Sequence, residues 1–230
     1  MNLQKFDFHN HILPGVDDGF RTPEESLRAI RTLASKGCRQ FVFTPHMNPD
    51  VDTAVSEQKM RDAYDAFVPM IPEELGVQTS LAAEYMVVRN FEQRADHPEE
   101  LLTYPDKSIL IEMSYYFRSE NLEAAVFALN IAGLKPVLAH PERYIYMADS
   151  LKDFDKLHEM GCRFQLNYMS LSGIYGPGST EILKYLLKKG WYDFICTDLH
   201  TNHQLESILS IKPDRRMRRR LGRNFPELEL

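Results

Sequence analysis

The chain has 230 residues, of which 43% are hydrophobic and 26% are charged, and its formal net charge is −6. These values are typical of a folded enzyme and exclude a disordered chain, while the negative charge argues against broad affinity for nucleic acids. No apolar run is long enough to span a bilayer, and residues 1–5 lack the apolar segment of a signal peptide, so we expect a cytoplasmic protein.

Helix signals and short apolar runs alternate from one end of the chain to the other. Residues 22–25 (Thr-Pro-Glu-Glu) form a capping box with proline at the first helical position, and apolar residues at helical spacing follow until Gly37. This pattern predicts a first helix that ends at Gly37. Similar helices are predicted to end at Gly133, Gly161 and Gly190.

Strand-like segments follow these glycines within a few residues, and seven such segments are predicted along the chain. They span residues 6–9, 40–44, 78–83, 108–112, 136–139, 163–166 and 192–197. Alternating strands and helices argue for a parallel sheet, either open or closed into a barrel. There is no internal repeat and no linker long enough to divide the chain, so residues 1–230 are expected to form one α/β domain.

Candidate metal ligands occupy six of the seven predicted strand ends, where catalytic groups gather in parallel sheets and barrels. The sixth strand offers only Asn167. The nine candidates are His9, His11, Asp18, His46, Glu84, Glu112, His140, Asp198 and His200. Each of these alone is weak evidence for a metal site, but five of the eight histidines fall at these positions. The other three, His97, His158 and His203, lack this context and are expected to be structural or solvated.

The chemistry of these ligands predicts a phosphoesterase. Mixed imidazole and carboxylate ligands suit manganese, iron or zinc, and the absence of thiolate ligands disfavours a structural zinc. Nine ligands are too many for one tetrahedral ion, so we expect two or three divalent metals with a carboxylate such as Glu84 bridging them. Closely spaced metals can hold a hydroxide nucleophile at neutral pH and clamp the oxygens of an in-line phosphoryl displacement.

Six short motifs occur in order along the chain. They are HNHILPGVDDG at 9–19, TPH at 44–46, AEY at 83–85, EMS at 112–114, HPERY at 140–144 and TDLH at 197–200. With these motifs the sequence resembles the polymerase-and-histidinol-phosphatase (PHP) superfamily over most of its length. Within that superfamily it is similar to the bacterial tyrosine-protein phosphatases of capsule and exopolysaccharide operons. The first and fifth motifs are specific, and the others are informative through their order.

The resemblance implies a distorted, TIM-barrel-like (β/α)7 barrel and a three-metal site, usually with manganese. One metal would be held by His9, His11, Glu84 and Asp198, a second by Glu84, Glu112 and His140, and a third by Asp18, His46 and His200. The family also implies a phosphotyrosine protein substrate, an autophosphorylating bacterial tyrosine kinase.

Arg143 matches the arginine that follows the family's His-Pro-Glu and is expected to clamp a phosphate and stabilise its developing charge. An ion pair with a neighbouring carboxylate is the alternative role. Some relatives carry a further arginine soon after the final histidine, and residues 201–205 supply none here.

Three aromatic residues, Tyr115, Tyr116 and Phe117, follow a ligand-bearing strand. They are candidates for an aromatic wall that contacts a phosphotyrosine ring. Packing at the rim of the barrel is an equally good expectation.

A cysteine-dependent tyrosine phosphatase requires an arginine six residues after its nucleophile. The residues six after Cys38, Cys162 and Cys196 are threonine, tyrosine and asparagine, which excludes that mechanism. Three widely spaced cysteines also suggest neither a disulfide framework nor a Cys-rich zinc site. Binuclear amidohydrolases usually have a modified lysine where this chain has Glu112. A histidinol-phosphate phosphatase, or another small-molecule phosphoesterase of the superfamily, stays open as an alternative.

A non-enzymatic regulatory or DNA-binding role is an alternative of a different class. It rests on a basic cluster near the C-terminus, Arg215, Arg216, Arg218, Arg219, Arg220 and Arg223. The simpler interpretation is a solvated helix whose cations suit the helix dipole.

Overall fold

A computed structural model describes residues 5–49, 51–52 and 55–226 of the chain. In this part, strands and helices alternate. The strands are β1 (Phe6–Asp7), β2 (Gln40–Phe43), β3 (His46–Met47), β4 (Gln78–Leu81), β5 (Glu84–Met86), β6 (Ser108–Glu112), β7 (Lys135–Ala139), β8 (Arg163–Asn167) and β9 (Tyr192–Cys196). The helices are α1 (Pro23–Ser35), α2 (Glu57–Phe67), α3 (Leu122–Ile131), α4 (Lys152–Glu159), α5 (Gly176–Lys189), α6 (Asn202–Ser210) and α7 (Arg215–Asn224).

Every pair of neighbouring strands among these is parallel. One sheet has the order β1-β2-β4, and the other has the order β3-β5-β6-β7-β8-β9. The backbone segment 9–11 joins their carboxyl ends, because Asn10 accepts a hydrogen bond from the amide of Thr44 and His11 donates one to the carbonyl of Leu199. The predicted parallel α/β class is therefore confirmed.

All seven predicted strands occur within two residues of their expected bounds, but β3 and β5 were not predicted. They continue the paths of β2 and β4 after short interruptions at residues 44–45 and 82–83. Pro45 has no amide hydrogen to donate, which interrupts hydrogen bonding on its strand. The prediction placed His46 and Glu84 at the ends of strands. They are instead the first residues of β3 and β5, where they pair with each other.

The predicted helix signals are confirmed. The Thr22 side chain caps α1 by accepting a hydrogen bond from the amide of Glu25, whose carboxylate accepts one from the amide of Thr22. The glycines at 37, 133, 161 and 190 all adopt positive φ values after α1, α3, α4 and α5. Glycine has no Cβ and adopts this left-handed conformation without strain, so it ends a helix readily.

The basic C-terminal cluster lies on α7, whose Leu221 is buried against the rest of the protein. Most of its arginines are exposed. Only Arg223 lies in the last turn, whereas Arg215 and Arg216 lie in the first turn, so the helix-dipole argument holds for Arg223 alone. Among the helices of the described residues, none has the length and apolar character needed to cross a membrane.

The capping box makes a prediction about stability. Replacing Thr22 with Ala should lower the free energy of unfolding by about 1 kcal/mol, because an amide at the start of α1 loses its hydrogen-bond acceptor. Thr32→Ala, in the middle of the same helix, is the matched control and should have little effect, because alanine favours helix there. Denaturant unfolding measures both, and equal losses would contradict a capping role for Thr22.

Candidate metal centre

Eight of the nine predicted ligands fall into three groups, in each of which the ligand atoms lie within 4.8 Å of one another. The inner group is His9, His11, Glu84 and Asp198. The middle group is His46, Glu84 and Glu112, and the outer group is His11, Asp18, His46 and His200. The ninth ligand, His140, joins them through Glu84, since its Nε2 lies 3.0 Å from Oε1 of that carboxylate. Residues from six strand paths therefore meet in one cluster.

The inner group has the spacing of a metal site. Nε2 of His9 and Nε2 of His11 are 3.3 Å apart, and each lies 3.4 Å from Oδ1 of Asp198. Both imidazoles also lie 3.3 Å from an oxygen of Glu84. Ligand atoms about 2.0–2.2 Å from one tetrahedral ion are roughly 3.3–3.6 Å apart. The four side chains therefore surround a point at which one such ion fits.

Glu84 lies at the centre of the cluster and is completely buried. Its Oε1 is 3.3 Å from His9 and 3.0 Å from His140. Its Oε2 is 3.3 Å from His11 and 3.1 Å from His46. Each carboxylate oxygen thus lies between two imidazoles, which is the position that a bridging ligand requires.

His46 connects the middle and outer groups through its two ring nitrogens. Its Nδ1 lies 2.9 Å from Oε1 of Glu112, and its Nε2 lies 3.5 Å from Oδ1 of Asp18. Nε2 of His200 is 3.7 Å from the same Asp18 oxygen. The grouping differs from the partition implied by the resemblance, because His46 rather than His140 lies beside Glu112, and His11 belongs to two groups. Asp18 is 74% exposed and marks the solvent side of the cluster.

Three oxygens of the buried carboxylates require compensation by a cation or an ordered water. Oε2 of Glu84, Oε1 of Glu112 and Oδ1 of Asp198 are buried and accept no hydrogen bond from the described residues. Burial of a carboxylate oxygen without such a bond is costly unless a cation or an ordered water compensates. The donor set of imidazoles and carboxylates around these atoms therefore fits divalent transition metals.

The imidazoles differ in how readily they take up a proton. Burial opposes protonation of His9, His11 and His46, but the surrounding carboxylates raise the pKa values of all three. The ring of His11 stacks on that of His200 at 3.9 Å and lies 4.3 Å from that of His46. Burial and the neighbouring His11 lower the pKa of His200 to about 4, so its ring is neutral at physiological pH. Burial opposes ionisation of Glu84, but His9 and the other imidazoles hold the pKa of its carboxyl well below the usual range. A neutral ring and an ionised carboxylate are the forms that bind metals.

Two residues that the sequence analysis did not identify orient the first two histidines. Oδ2 of Asp17 is 2.7 Å from Nδ1 of His11, and Oε1 of Gln165 is 2.8 Å from Nδ1 of His9. With Nδ1 occupied, each ring presents Nε2 to the inner group. Asp17 directly precedes the predicted ligand Asp18, and the sequence contains no signal that distinguishes a supporting aspartate from a ligand.

Asp198 is oriented by two donors on its outer oxygen. Oδ2 accepts hydrogen bonds from Nδ2 of Asn167 at 2.7 Å and from Nη1 of Arg143 at 2.9 Å. Oδ1 is thereby directed to the histidines of the inner group. The backbone amide of Asn167 donates to Glu142, which is fully buried and also accepts from the hydroxyl of Tyr192. Asn167 and Glu142 therefore support the cluster from the end of β8.

Two of the ligands have strained backbones. His140 and Asp198 adopt φ values of 32° and 49°, and only two other non-glycine residues in the described part have positive φ. Such conformations cost energy and persist where the surrounding structure enforces them, often at functional sites. Gly19 marks a second constraint, since a Cβ there would lie 2.3 Å from the backbone oxygen of His11. The loop that carries Asp17 and Asp18 can pack against His11 only with glycine at that position.

Arg143 lies between two aromatic rings at the cluster. Its guanidinium carbon is 3.9 Å from the centre of the Tyr115 ring and 5.0 Å from that of Tyr175. Burial alone would lower the pKa of Arg143, but the Asp198 carboxylate and the two tyrosines raise it. The alternative role, an ion pair, is therefore present in the structure. Arg143 nevertheless also lines the open cleft.

A cleft of about 720 Å³ opens above the cluster. Its lining includes Asp18, His46, Glu112, Arg143, Asp198 and His200, so members of all three groups face it. Arg143 is the one arginine among the described residues that line it. Of the three predicted wall residues, Tyr115 lines this cleft, whereas Tyr116 and Phe117 line a neighbouring groove.

The three histidines excluded from the prediction lie away from the cluster. His158 stacks on Trp191, and His203 is 91% exposed at the start of α6. His97 is exposed beside Glu99 and Glu100, whose ligand atoms could approach one ion, but exposed acidic groups of this kind are common without a metal. The sequence-based separation of these histidines from the other five agrees with their positions.

Comparison with known proteins identifies relatives of this chain. The family described as capsular polysaccharide synthesis, CpsB/CapC, matches residues 5–225. The chain is 28% identical to tyrosine-protein phosphatase YwqE of Bacillus subtilis (strain 168) over 195 residues. The aligned region covers 84% of this chain and 76% of the relative. It is 25% identical over 201 residues to tyrosine-protein phosphatase CpsB of Streptococcus pneumoniae, with coverage of 84% and 82%.

The fold is also similar to a solved structure. The match comes from a study of YwqE from Bacillus subtilis and CpsB from Streptococcus pneumoniae, which are described as unique metal-dependent tyrosine phosphatases. The TM-score is 0.76 at 26% identity, with coverage of 89% of this chain and 85% of the other. These findings confirm the resemblance that the six motifs indicated. The chain belongs to the CpsB/CapC family of capsular polysaccharide synthesis.

Proposed function

We propose that this protein is a metal-dependent protein-tyrosine phosphatase that hydrolyses phosphotyrosine on a protein substrate. The observation that carries the proposal is the convergence of nine histidine and carboxylate side chains at the floor of an open cleft that also contains an arginine. Membership of the CpsB/CapC family, and the names of the relatives as tyrosine-protein phosphatases, support it.

The three ligand groups would hold two to three divalent metals, with manganese as the first choice and iron or zinc as alternatives. The inner group would hold one ion, and Glu84 would bridge it to an ion in the middle group, with His140 contributing through its contact with Glu84. The outer group would hold a third near the solvent. When bound, these metals would generate a nucleophile from water at neutral pH and neutralise charge on the phosphoryl oxygens.

Arg143 provides the chain's own positive charge in the cleft. One N–H group of its guanidinium binds Asp198, and no other hydrogen bond from this guanidinium occurs among the described residues. Its remaining N–H groups are available to phosphoryl oxygens, which arginine binds in a bidentate manner. The rings of Tyr115 and Tyr175 hold the guanidinium plane in place, so its orientation does not depend on the substrate.

Among the described residues of the cleft, each histidine is already assigned as a metal ligand and is not free to protonate a leaving group. The histidines that line it, among the described residues, are His46 and His200, and both belong to the ligand groups. Burial raises the pKa of the Tyr115 and Tyr175 hydroxyls, which makes them weak acids. A phenolate can leave without a proton more easily than an alkoxide, because phenol has a pKa of about 10. This favours aryl phosphates such as phosphotyrosine.

The cysteines do not provide a nucleophile. All three are buried, and burial raises the pKa of the Cys162 thiol to about 12. Burial also raises the pKa values of the Cys38 and Cys196 thiols. A reactive cysteine needs an exposed site and a lowered pKa, so these thiols are unsuited to catalysis.

The wider setting is part of the same proposal. An autophosphorylated bacterial tyrosine kinase is the expected partner, and free, buried cysteines suit a reducing cytoplasm. Residues 1–230 would act as a single domain in which the two sheets together form a distorted (β/α) barrel. The hydrogen bonds of segment 9–11 to Thr44 and Leu199, which join the carboxyl ends of the two sheets, support this arrangement.

The ligand groups predict a multinuclear metal content. Protein purified after reconstitution should carry two to three equivalents of divalent transition metal by elemental analysis. A chelator should abolish turnover because the ligands cannot generate the nucleophile alone, and Mn²⁺ should restore it. One equivalent or less after reconstitution would contradict the proposal of a multinuclear site.

Glu84 should be the most sensitive of the ligands. Glu84→Ala removes the carboxylate that contacts four imidazoles and should lower kcat/KM for an aryl phosphate by several orders of magnitude. His203→Ala is the control, since that side chain is 91% exposed and should have little effect. Circular dichroism should report a folded protein in both cases. Equal losses of activity at the two positions would show that the cluster is not the catalytic centre.

The leaving group predicts the substrate preference. At equal concentration, phosphotyrosine peptides should be hydrolysed much faster than phosphoserine peptides, because the phenolate leaves without protonation. Phosphate release with defined metals measures both rates. A higher kcat/KM for histidinol phosphate than for every phosphotyrosine peptide would favour the small-molecule phosphatase instead.

A further inference from the structure

A second depression adjoins the metal cleft. We name it the outer groove, lined by residues 86–89 and 113–121 together with Asn48 and Val51. It shares Asn48, Val51, Met86 and Tyr115 with the lining of the cleft. A molecule whose phosphate reaches the metal ligands can therefore extend from the cleft directly into the outer groove.

The outer groove concentrates exposed apolar side chains. Tyr116 is 89% exposed, Val51 is 82% exposed and Phe117 is 66% exposed. Eight large hydrophobic residues in the described part are between 51% and 89% exposed, and three of them line this one groove. Isolated exposed hydrophobic residues are ordinary, but a cluster beside a proposed active site indicates a binding surface.

The walls of the groove are braced from behind. Nδ2 of Asn121 donates to the carbonyl of Val88 at 3.2 Å, which joins the two walls. The hydroxyl of Tyr146 donates to the carbonyl of Ser114 at 3.0 Å. Arg118 is paired with both Glu123 and Asp153. The exposed aromatic rings therefore project from a backbone that these contacts hold in place. A bound peptide would not have to order this backbone.

The size of the groove distinguishes between classes of substrate. The metal cleft, at about 720 Å³, already lies within the usual range for a small-molecule site, ~300–1,000 Å³. The outer groove has a volume of about 930 Å³, and none of the nine predicted metal ligands lines it. A small phosphate ester would leave it empty, whereas a polypeptide around a phosphorylated tyrosine would enter it.

The charge of the groove excludes a polyanionic partner. Arg118 is neutralised by its two carboxylates, and the remaining charged residues, Arg89 and Glu120, have opposite signs. A nucleic acid or an anionic lipid surface would require a net positive groove. Apolar aromatic side chains with few balanced charges instead suit a peptide segment.

We propose that the outer groove binds the polypeptide that flanks the phosphotyrosine of the substrate, with Tyr116 and Phe117 contacting an apolar side chain near that tyrosine. This inference rests on the proposed function and specifies its substrate class. It assigns Tyr115 to the cleft through its contact with Arg143, and assigns Tyr116 and Phe117 to peptide recognition. The three neighbouring aromatic residues thus have two different roles.

The experiment compares the full chain with a double variant, Tyr116→Ser with Phe117→Ser, loaded with the same metal. Each protein is assayed on a phosphotyrosine peptide with flanking apolar residues, on free phosphotyrosine and on nitrophenyl phosphate. The ratio of kcat/KM for the peptide to that for nitrophenyl phosphate should fall by about tenfold or more in the double variant, mainly through KM. The wild type should also prefer the peptide to free phosphotyrosine.

The matched control is Phe127→Ser, which removes another aromatic side chain, 63% exposed, from a face of α3 outside the groove. This variant should leave kcat/KM for the peptide, kcat/KM for nitrophenyl phosphate and the ratio of the two unchanged. Thermal unfolding of all variants tests whether the barrel is intact.

Three results would overturn the inference while the proposed function stands. The first is an unchanged ratio in the double variant, and the second is equal turnover of free phosphotyrosine and peptide by the wild type. The third is a wild-type dimer in solution that the double variant loses, which would assign the groove to a second copy of the chain. Failure of the proposed function is distinguishable, because the wild type would then hydrolyse histidinol phosphate but no form of phosphotyrosine, and both proposals would fall.

Discussion

The site depends on one buried carboxylate. Glu84 is inaccessible to water, and each of its oxygens lies between two imidazoles, His9 and His140 on one side and His11 and His46 on the other. An ionised group in such a position is tolerable only if positive charge surrounds it, either as protons on the imidazoles or as metal ions. Metal ions meet the requirement without adding protons. The parallel strands make the arrangement possible, because they bring His46, Glu84 and Glu112, which lie within strands, to the same side of the sheets as the histidines and Asp198 in the loops.

A layer of hydrogen bonds keeps the ligands in place around that carboxylate. Asp17 and Gln165 occupy the outer nitrogens of His11 and His9, and Asn167 with Arg143 occupies the outer oxygen of Asp198. These contacts offset the cost of holding Asp198 in a left-handed backbone conformation and of crowding charged groups in the interior. In metal sites, replacing supporting residues of this kind typically costs about 10- to 100-fold in metal affinity or activity.

The surface above the cluster divides into two environments with different chemistry. The cleft combines the predicted metal ligands with an arginine whose guanidinium two tyrosine rings hold in one orientation, as the proposed phosphate clamp requires. The backbone of the outer groove is held by hydrogen bonds, and the groove exposes aromatic side chains away from the predicted metal ligands. The position of Tyr115 at the boundary explains how consecutive residues serve both environments. Tyr115 packs inward against Arg143, and the next two side chains point into the outer groove.

Local signals in the sequence were enough to predict the parallel α/β class and the residues that gather at the site. Glycines at 37, 133, 161 and 190 ended helices, apolar runs formed strands, and histidines or carboxylates followed those strands, because all of these signals are local and act over a few residues. The tertiary structure was needed to show that His46 and Glu84 begin separate short strands and pair with each other, and that His46 lies beside Glu112. The supporting roles of Asp17 and Gln165, and the separation of Tyr115 from Tyr116, were decided there as well. These features depend on distances between segments far apart in the chain, and such distances are set by packing and the crossing of strand paths, which no local pattern of residues encodes.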